Sequence, residues 1–155
     1  MARDSQKITV IAKNRRARHN YEIVDTLECG MALVGTEVKS LRAGRASIGE
    51  SYGLIKAGEL WLVGATIPEY SHGNVYNHVT NRDRKLLVHL RELRNWDKRV
   101  REKGVTLVPL ALYFKGHRVK LELALCRGKK LYDRREDQKT RDAKREVDRA
   151  MSRRR

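Results

Sequence analysis

Two prolines in 155 residues leave no material for a proline-rich linker, so the chain should be one compact domain with whatever trails from it. Two cysteines, Cys29 and Cys126, lie far apart in strand-like contexts and outside any CxxC spacing. They read as reduced, buried thiols and give no disulfide framework. No stretch is long and apolar enough to span a bilayer. The opening Met1-Ala2-Arg3-Asp4-Ser5-Gln6-Lys7 holds no apolar signal core, and no amphipathic helix with bulky aromatics argues for a membrane surface, so a cytoplasmic protein is expected. The five histidines are scattered without an HExxH or a Cys/His cluster at ligand spacing, so no metal or cofactor is expected. There is no GxGxxG, no Walker loop and no GxSxG. Glu28 and Glu37 could be imagined as an acid/base pair, but nothing fixes their separation, and the chain is not expected to be an enzyme.

What the chain has in excess is positive charge. Lys and Arg number 35 against 19 Asp and Glu, a net charge of +16. Residues 127–155 hold thirteen cations and six acids, a net of +7, with only Leu131, Tyr132, Val147 and Met151 as large apolar side chains; +9 remains for residues 1–126. Such a tail cannot bury enough surface to offset its ordering entropy. It should be disordered alone and order on a polyanion. A basic body, 1–126, followed by a basic arm, 127–155, points to nucleic acid.

Period-two patterning dominates the body. Residues 21–27 and 31–38 read as short strands, and 52–56 and 59–63 as a hairpin around Ala57-Gly58. A second hairpin joins 105–114 to the alternating Val119, Leu121, Leu123 and Leu125 through Lys115-Gly116. Pro109 there requires an edge or a bulge. Leu86, Leu90, Leu93, Trp96 and Val100 follow a helical rhythm, with Gly104 as a cap, and residues 40–50 could hold a shorter helical turn. Mainly β, a small closed antiparallel barrel of OB type with flanking helices, is the expected fold.

Three stretches carry RNA chemistry. Asn14-Arg15-Arg16-Ala17-Arg18-His19-Asn20-Tyr21 packs guanidiniums, amides, an imidazole and a phenol before a strand, groups that fork onto phosphate or stack on unpaired bases. Residues 37–46 set Lys39, Arg42 and Arg45 beside small residues. Arg82-Asp83-Arg84-Lys85 would open the helix, where cations oppose the macrodipole unless an anion compensates them. His72 and His78 share a loop with Asn74 and Asn77, more in keeping with RNA contact or loop polarity than with metal.

These stretches, together with Arg84-Lys85-Leu86-Leu87 and Gly128-Lys129-Lys130-Leu131-Tyr132-Asp133-Arg134-Arg135, resemble the small protein B (SmpB) family of bacterial tmRNA-binding proteins, in order and almost end to end. The resemblance implies a protein that binds the tRNA-like part of tmRNA (SsrA RNA) and accompanies it to stalled ribosomes for trans-translation. Its tail would enter the decoding centre and empty mRNA channel of the small subunit, meeting rRNA, and turn helical there. By motif, Asn14, Arg15, Arg16, Arg18, His19, Tyr21, Glu28, Lys39, Arg42, Arg84, Lys85, Leu87 and His89 would form the tmRNA surface. Gly128, Lys129, Lys130, Tyr132, Asp133, Arg134 and Arg135 would meet the ribosome. Val79-Thr80 stands where many members have Asp-Pro, and Arg134 where lysine is usual. A monomer is expected. The competing reading is a general OB-type RNA-binding or ribosome-associated protein whose tail adds only nonspecific contacts.

Overall fold

The computed structural model describes residues 7–73, 77–102, 104–128 and 131–153, with side chains in the last segment from 139 to 152. Among the described residues seven strands form one antiparallel sheet: β1 Ile8–Lys13, β2 Tyr21–Met31, β3 Tyr52–Lys56, β4 Glu59–Val63, β5 Arg84–Leu87, β6 Val105–Lys115 and β7 Arg118–Gly128. Helices α1 Ala17–Asn20, α2 Gly35–Arg42, α3 Leu90–Val100 and α4 Leu131–Arg153 flank it. The strand order β6-β3-β4-β5-β2-β7 returns to β6, so six strands close a ring and β1 adds to β6 outside it. The expected closed antiparallel barrel is therefore present.

Inward residues fill that ring. Leu60, Leu62, Leu86, Leu107, Leu112, Leu121, Leu123 and Leu125 are buried, and Trp96 of α3 and Leu41 of α2 pack into the same cluster. Cys29 and Cys126 are buried free thiols, as the sequence suggested. Burial, with the carboxylates of Glu92 and Glu28, pushes the Cys29 thiol up to about 12; burial alone pushes Cys126 to about 11. Neither is a thiolate at neutral pH, which makes both inert.

The tightest point of the ring is its β3–β6 seam, a single pairing of Gly53 with Leu107. A Cβ on Gly53 would lie 2.8 Å from the Leu107 Cβ, too close for two side chains. Gly53→Ala is expected to cost about 1–3 kcal/mol by overpacking. Thermal unfolding measures it, and an unshifted melting temperature would show that the seam can open freely.

Several elements differ from the sequence reading. Residues 31–38 are not a strand: β2 runs to Met31 and the chain then turns into α2, because the Glu37 carboxylate accepts from the Val34 N–H at 3.0 Å and caps its own helix. The helix expected within 40–50 goes no further than Arg42, and Gly44 follows at φ +76°. The helix expected from Leu86 begins at Leu90. Arg84 and Leu86 point inward and Lys85 and Leu87 are less buried, a period of two that makes this stretch a strand. Leu86 satisfied both periods, which is why the pattern misled. β1 went unnoticed in the sequence. The hairpin turn is Gly116-His117, one residue later than expected, with Lys115 opposite Arg118. Ala57-Gly58 holds, both residues at positive φ as a type I′ turn needs. Pro109 sits beside a bulge: the β6–β7 register slips between Pro109 and Ala111.

The tail, expected to be coil in the free chain, forms a single helix, α4. Arg, Lys, Glu and Ala are good helix formers, so the conformation is locally available. All its described side chains, 139–152, are exposed, Val147 and Met151 included. Among the described side chains, no buried face holds this helix.

Candidate nucleic-acid interface

The N-terminal group hangs from β1 and α1. Asn14 is buried: its Nδ2 donates to the Pro109 carbonyl at 3.0 Å, and its backbone N–H donates to the Leu110 carbonyl at 2.8 Å. Both bonds exploit the bulge, where β6 has carbonyls to spare. Asn14 thus anchors the segment, and Arg15, Arg16 and Arg18 project into solvent around it. His19 and Tyr21 are half-buried, Tyr21 against the small cluster of Ala17, Val108, Leu110, Ala124 and Cys126. Arg15 and Arg16 border an open groove of about 410 Å³ whose far wall is Ser47, Gly49, Gly64 and Thr66.

A second group occupies the outer face of β2, β5 and β7. Glu28 points outward and accepts from the Tyr113 hydroxyl and, at 3.3 Å, from Lys115 Nζ. The Tyr113 bond is the main influence on Glu28; burial opposes it, and Lys115 and Lys120 add to it, so the carboxyl lies below its ordinary 4.5. It is an ionised, acceptor-only group, which repels phosphate and can receive N–H or O–H donors from bases or ribose. Two residues on, Gly30 faces Leu87 of β5 on one side and Lys120 of β7 on the other. Leu87 is 50% exposed. His89 is exposed at the N-cap of α3, next to this patch.

Lys39 and Arg42 are exposed on α2. Lys39 Nζ stands over the Tyr70 ring, 5.4 Å from its centroid, and Tyr70 is fixed by Asn77, whose side chain bonds both its N–H and its carbonyl. His78 is buried. One ring nitrogen meets the Thr36 hydroxyl at 2.9 Å and the other the Ile67 carbonyl at 2.8 Å, so it braces the loop against α2 and is not free to touch RNA. Lys85 pairs with Glu59 at 3.1 Å.

Arg84 has to be withdrawn from the surface. It is fully buried, its Nε 2.5 Å from Glu37, and its remaining donors reach the carbonyls of Ala65, Thr80 and Arg82. Arg82 grips the same carboxylate with Nε and Nη2. The anion that offsets these cations is thus internal: Glu37, itself 0% exposed. Burial works to raise its pKa, but Arg82, the Val34 N–H and Arg84 outweigh it and hold it below 4.5. This ion cluster ties α2 to β5. Nothing in the sequence pairs residues 37 and 84; only the topology does.

The two groups both lean on β6, through Leu110 and Tyr113, and no hydrogen bond joins them among the described residues. Of the ribosome set, Gly128 ends β7, Lys129 and Lys130 lie outside the described residues, and Tyr132, Asp133, Arg134 and Arg135 fall in the first turns of α4. Tyr113 and Lys115 were missed from the sequence because the β6 bulge between Pro109 and Ala111 shifts the alternation that would have set them on the Glu28 side; Lys120 lies outward in the legible β7 alternation, but nothing local marks it as a neighbour of Glu28.

The model of the family described as "SmpB protein" matches residues 11–153, the barrel and most of α4 together. The chain belongs to the SmpB family. Relatives named SsrA-binding protein include that of Thermobifida fusca, 57% identical over 94% of this chain and 91% of its own length. That of Acidothermus cellulolyticus is 53% identical over 99% and 96%. A solved structure described as "tmRNA-SmpB: a journey to the center of the bacterial ribosome" contains a chain 49% identical to this one. It covers 77% of this SmpB-family chain and 85% of the other, at a TM-score of 0.65.

Proposed function

We propose that this chain is a tmRNA-binding adaptor for trans-translation, carrying tmRNA to stalled ribosomes in the cytoplasm and acting by binding without chemistry of its own. The observation that carries this reading is a family match that spans both barrel and tail, 11–153, joined to relatives named for binding SsrA RNA. The surface supports it. Asn14 presents the Arg15–Arg18 cations, and Glu28, Leu87 and His89 gather on another face as a carboxylate, an exposed aliphatic and an imidazole, a set suited to bases more than to backbone phosphate alone. Among the described residues no helix is long and apolar enough to cross a membrane.

The test is a gel shift of the full-length protein on the tRNA-like domain of tmRNA with ordinary tRNA as competitor. Selective binding that survives excess tRNA is expected, and Glu28→Ala should weaken it. Equal competition by tRNA would leave only a general basic RNA-binding barrel.

A further inference from the structure

The outer face of the β3–β4 hairpin carries a contiguous apolar strip. Val63 stands opposite Tyr52 and Trp61 opposite Leu54, with Lys85 of β5 beyond Trp61. Tyr52 and Leu54 are exposed, Trp61 and Val63 are half-buried, and none of the four belongs to either apolar cluster of the barrel. An open groove of about 280 Å³ runs along this strip, lined by Leu54, Trp61 and Val63, with Lys56, Glu59 and Asp83 at its edge. The grooves beside Arg15 and beside Lys120 are lined by more cations than carboxylates; here two carboxylates face one lysine, in a chain of net charge +16. Asp83 makes no ion pair among the described residues. Glu59 pairs only with Lys85, at 3.1 Å, and both side chains are more than two-fifths exposed, so that pair contributes little and exchanges readily.

We propose that this groove docks an arginine from a basic protein segment of the ribosome, its guanidinium flat on the Trp61 indole and forked toward Asp83 and Glu59. The inference rests on the ribosome-adaptor reading above and names a protein partner for a face that reading leaves unassigned. Charge complementarity selects the occupant. An indole face attracts a cation, a planar guanidinium stacks on it, and a neighbouring carboxylate accepts its paired N–H donors. Leu54 and Val63 then cover the aliphatic stem of the same side chain. An RNA base would also stack on the indole, but its flanking phosphates would meet Asp83 and Glu59. A second copy of the chain would bring a like charge of +16 against this one. The chain's own basic tail leaves from the end of β7, and β4 stands across the six-strand ring from β7.

The experiment uses the full-length protein with the photoreactive residue p-benzoylphenylalanine in place of Leu54, carried with tmRNA onto ribosomes stalled on a message lacking a stop codon. Irradiation should attach it to a ribosomal protein, at an arginine-bearing stretch identified by peptide mapping. Attachment to RNA, to a second copy, to the chain's own tail, to a protein stretch without arginine, or to nothing would overturn the docking site. Two substitutions in the otherwise unaltered chain test the chemistry. Trp61→Leu keeps apolar bulk and removes the ring; Asp83→Asn keeps the shape and removes the charge. Each should weaken co-sedimentation of the protein–tmRNA complex with those ribosomes about tenfold, the scale of one stacked, charge-paired side chain. Were the occupant RNA, Asp83→Asn would instead tighten binding by relieving phosphate repulsion, which would overturn the proposal. Melting curves establish that each variant is folded, and folded variants that sediment as the unaltered protein does would overturn it as well. In any of these failures a preference of the unaltered protein for the tmRNA domain over tRNA leaves the adaptor reading intact; loss of that preference would overturn both.

Discussion

Removing residues 129–155 is expected to abolish tagging of nascent chains on stalled ribosomes and to leave affinity for the tRNA-like domain of tmRNA within a few-fold of the full-length value. The cut falls after Gly128, which pairs with Tyr21, so the β2–β7 ladder keeps its last rung and the barrel is untouched. Both groups proposed to meet RNA, around Asn14 and around Glu28, lie outside the deleted segment. What goes is a helix whose described side chains, 139–152, are all exposed, so that its cations are open to a polyanionic partner. Tagging is read by release of a marked peptide from ribosomes programmed with a message lacking a stop codon, and affinity by gel shift. The double variant Asp133→Ala, Arg134→Ala should give the same split result without shortening the chain. Tagging that persists in either protein would remove the tail from ribosome sensing, and affinity that collapses would make it a nonspecific RNA anchor.

The second large effect concerns stability. Replacing Glu37 by alanine would leave Arg84 buried with no counter-charge and uncap α2, and breaking a buried pair in this way costs about 3–5 kcal/mol. Against a total stability of about 5–15 kcal/mol that is a severe loss. For a chain of this size each kcal/mol lowers the melting temperature by about 2–4 °C. The pH dependence has a definite sign. The folded-state pKa of Glu37 is below its unfolded value of 4.5, so its contribution is complete above that value and disappears as the pH falls through the folded pKa. Urea midpoints measured downward from pH 6 should therefore fall more steeply for the unaltered chain than for Glu37→Gln. Parallel acid limbs would show that Glu37 does not carry the charge assigned to it.

Much of the barrel was legible because period-two patterning is local. Tyr52–Val63 and Val105–Leu125 announced their hairpins, and only the second turn was misplaced, by one residue. What was not legible depended on partners remote in sequence. Glu37 reads as a strand residue or an RNA-orienting acid until Arg82 and Arg84 are brought to it, and the same contact turns Arg84 from a candidate ligand of RNA into part of the core. Asn14 was picked out as a contact residue and is instead largely an anchor, since its side chain is spent on Pro109. The exposed cations at 15, 16 and 18 and the pair Glu28 and Leu87 stand at the surface, as their motifs required.

The ring's strand order also bears on how the protein comes into being. β2 is made early, yet its neighbours β5 and β7 arrive only with residues 84–87 and 118–128. Until then it presents an open edge along most of its eleven residues, the kind of edge that invites misplaced pairing. Vectorial synthesis thus cannot finish the barrel piecemeal; the last strand is the one that closes it.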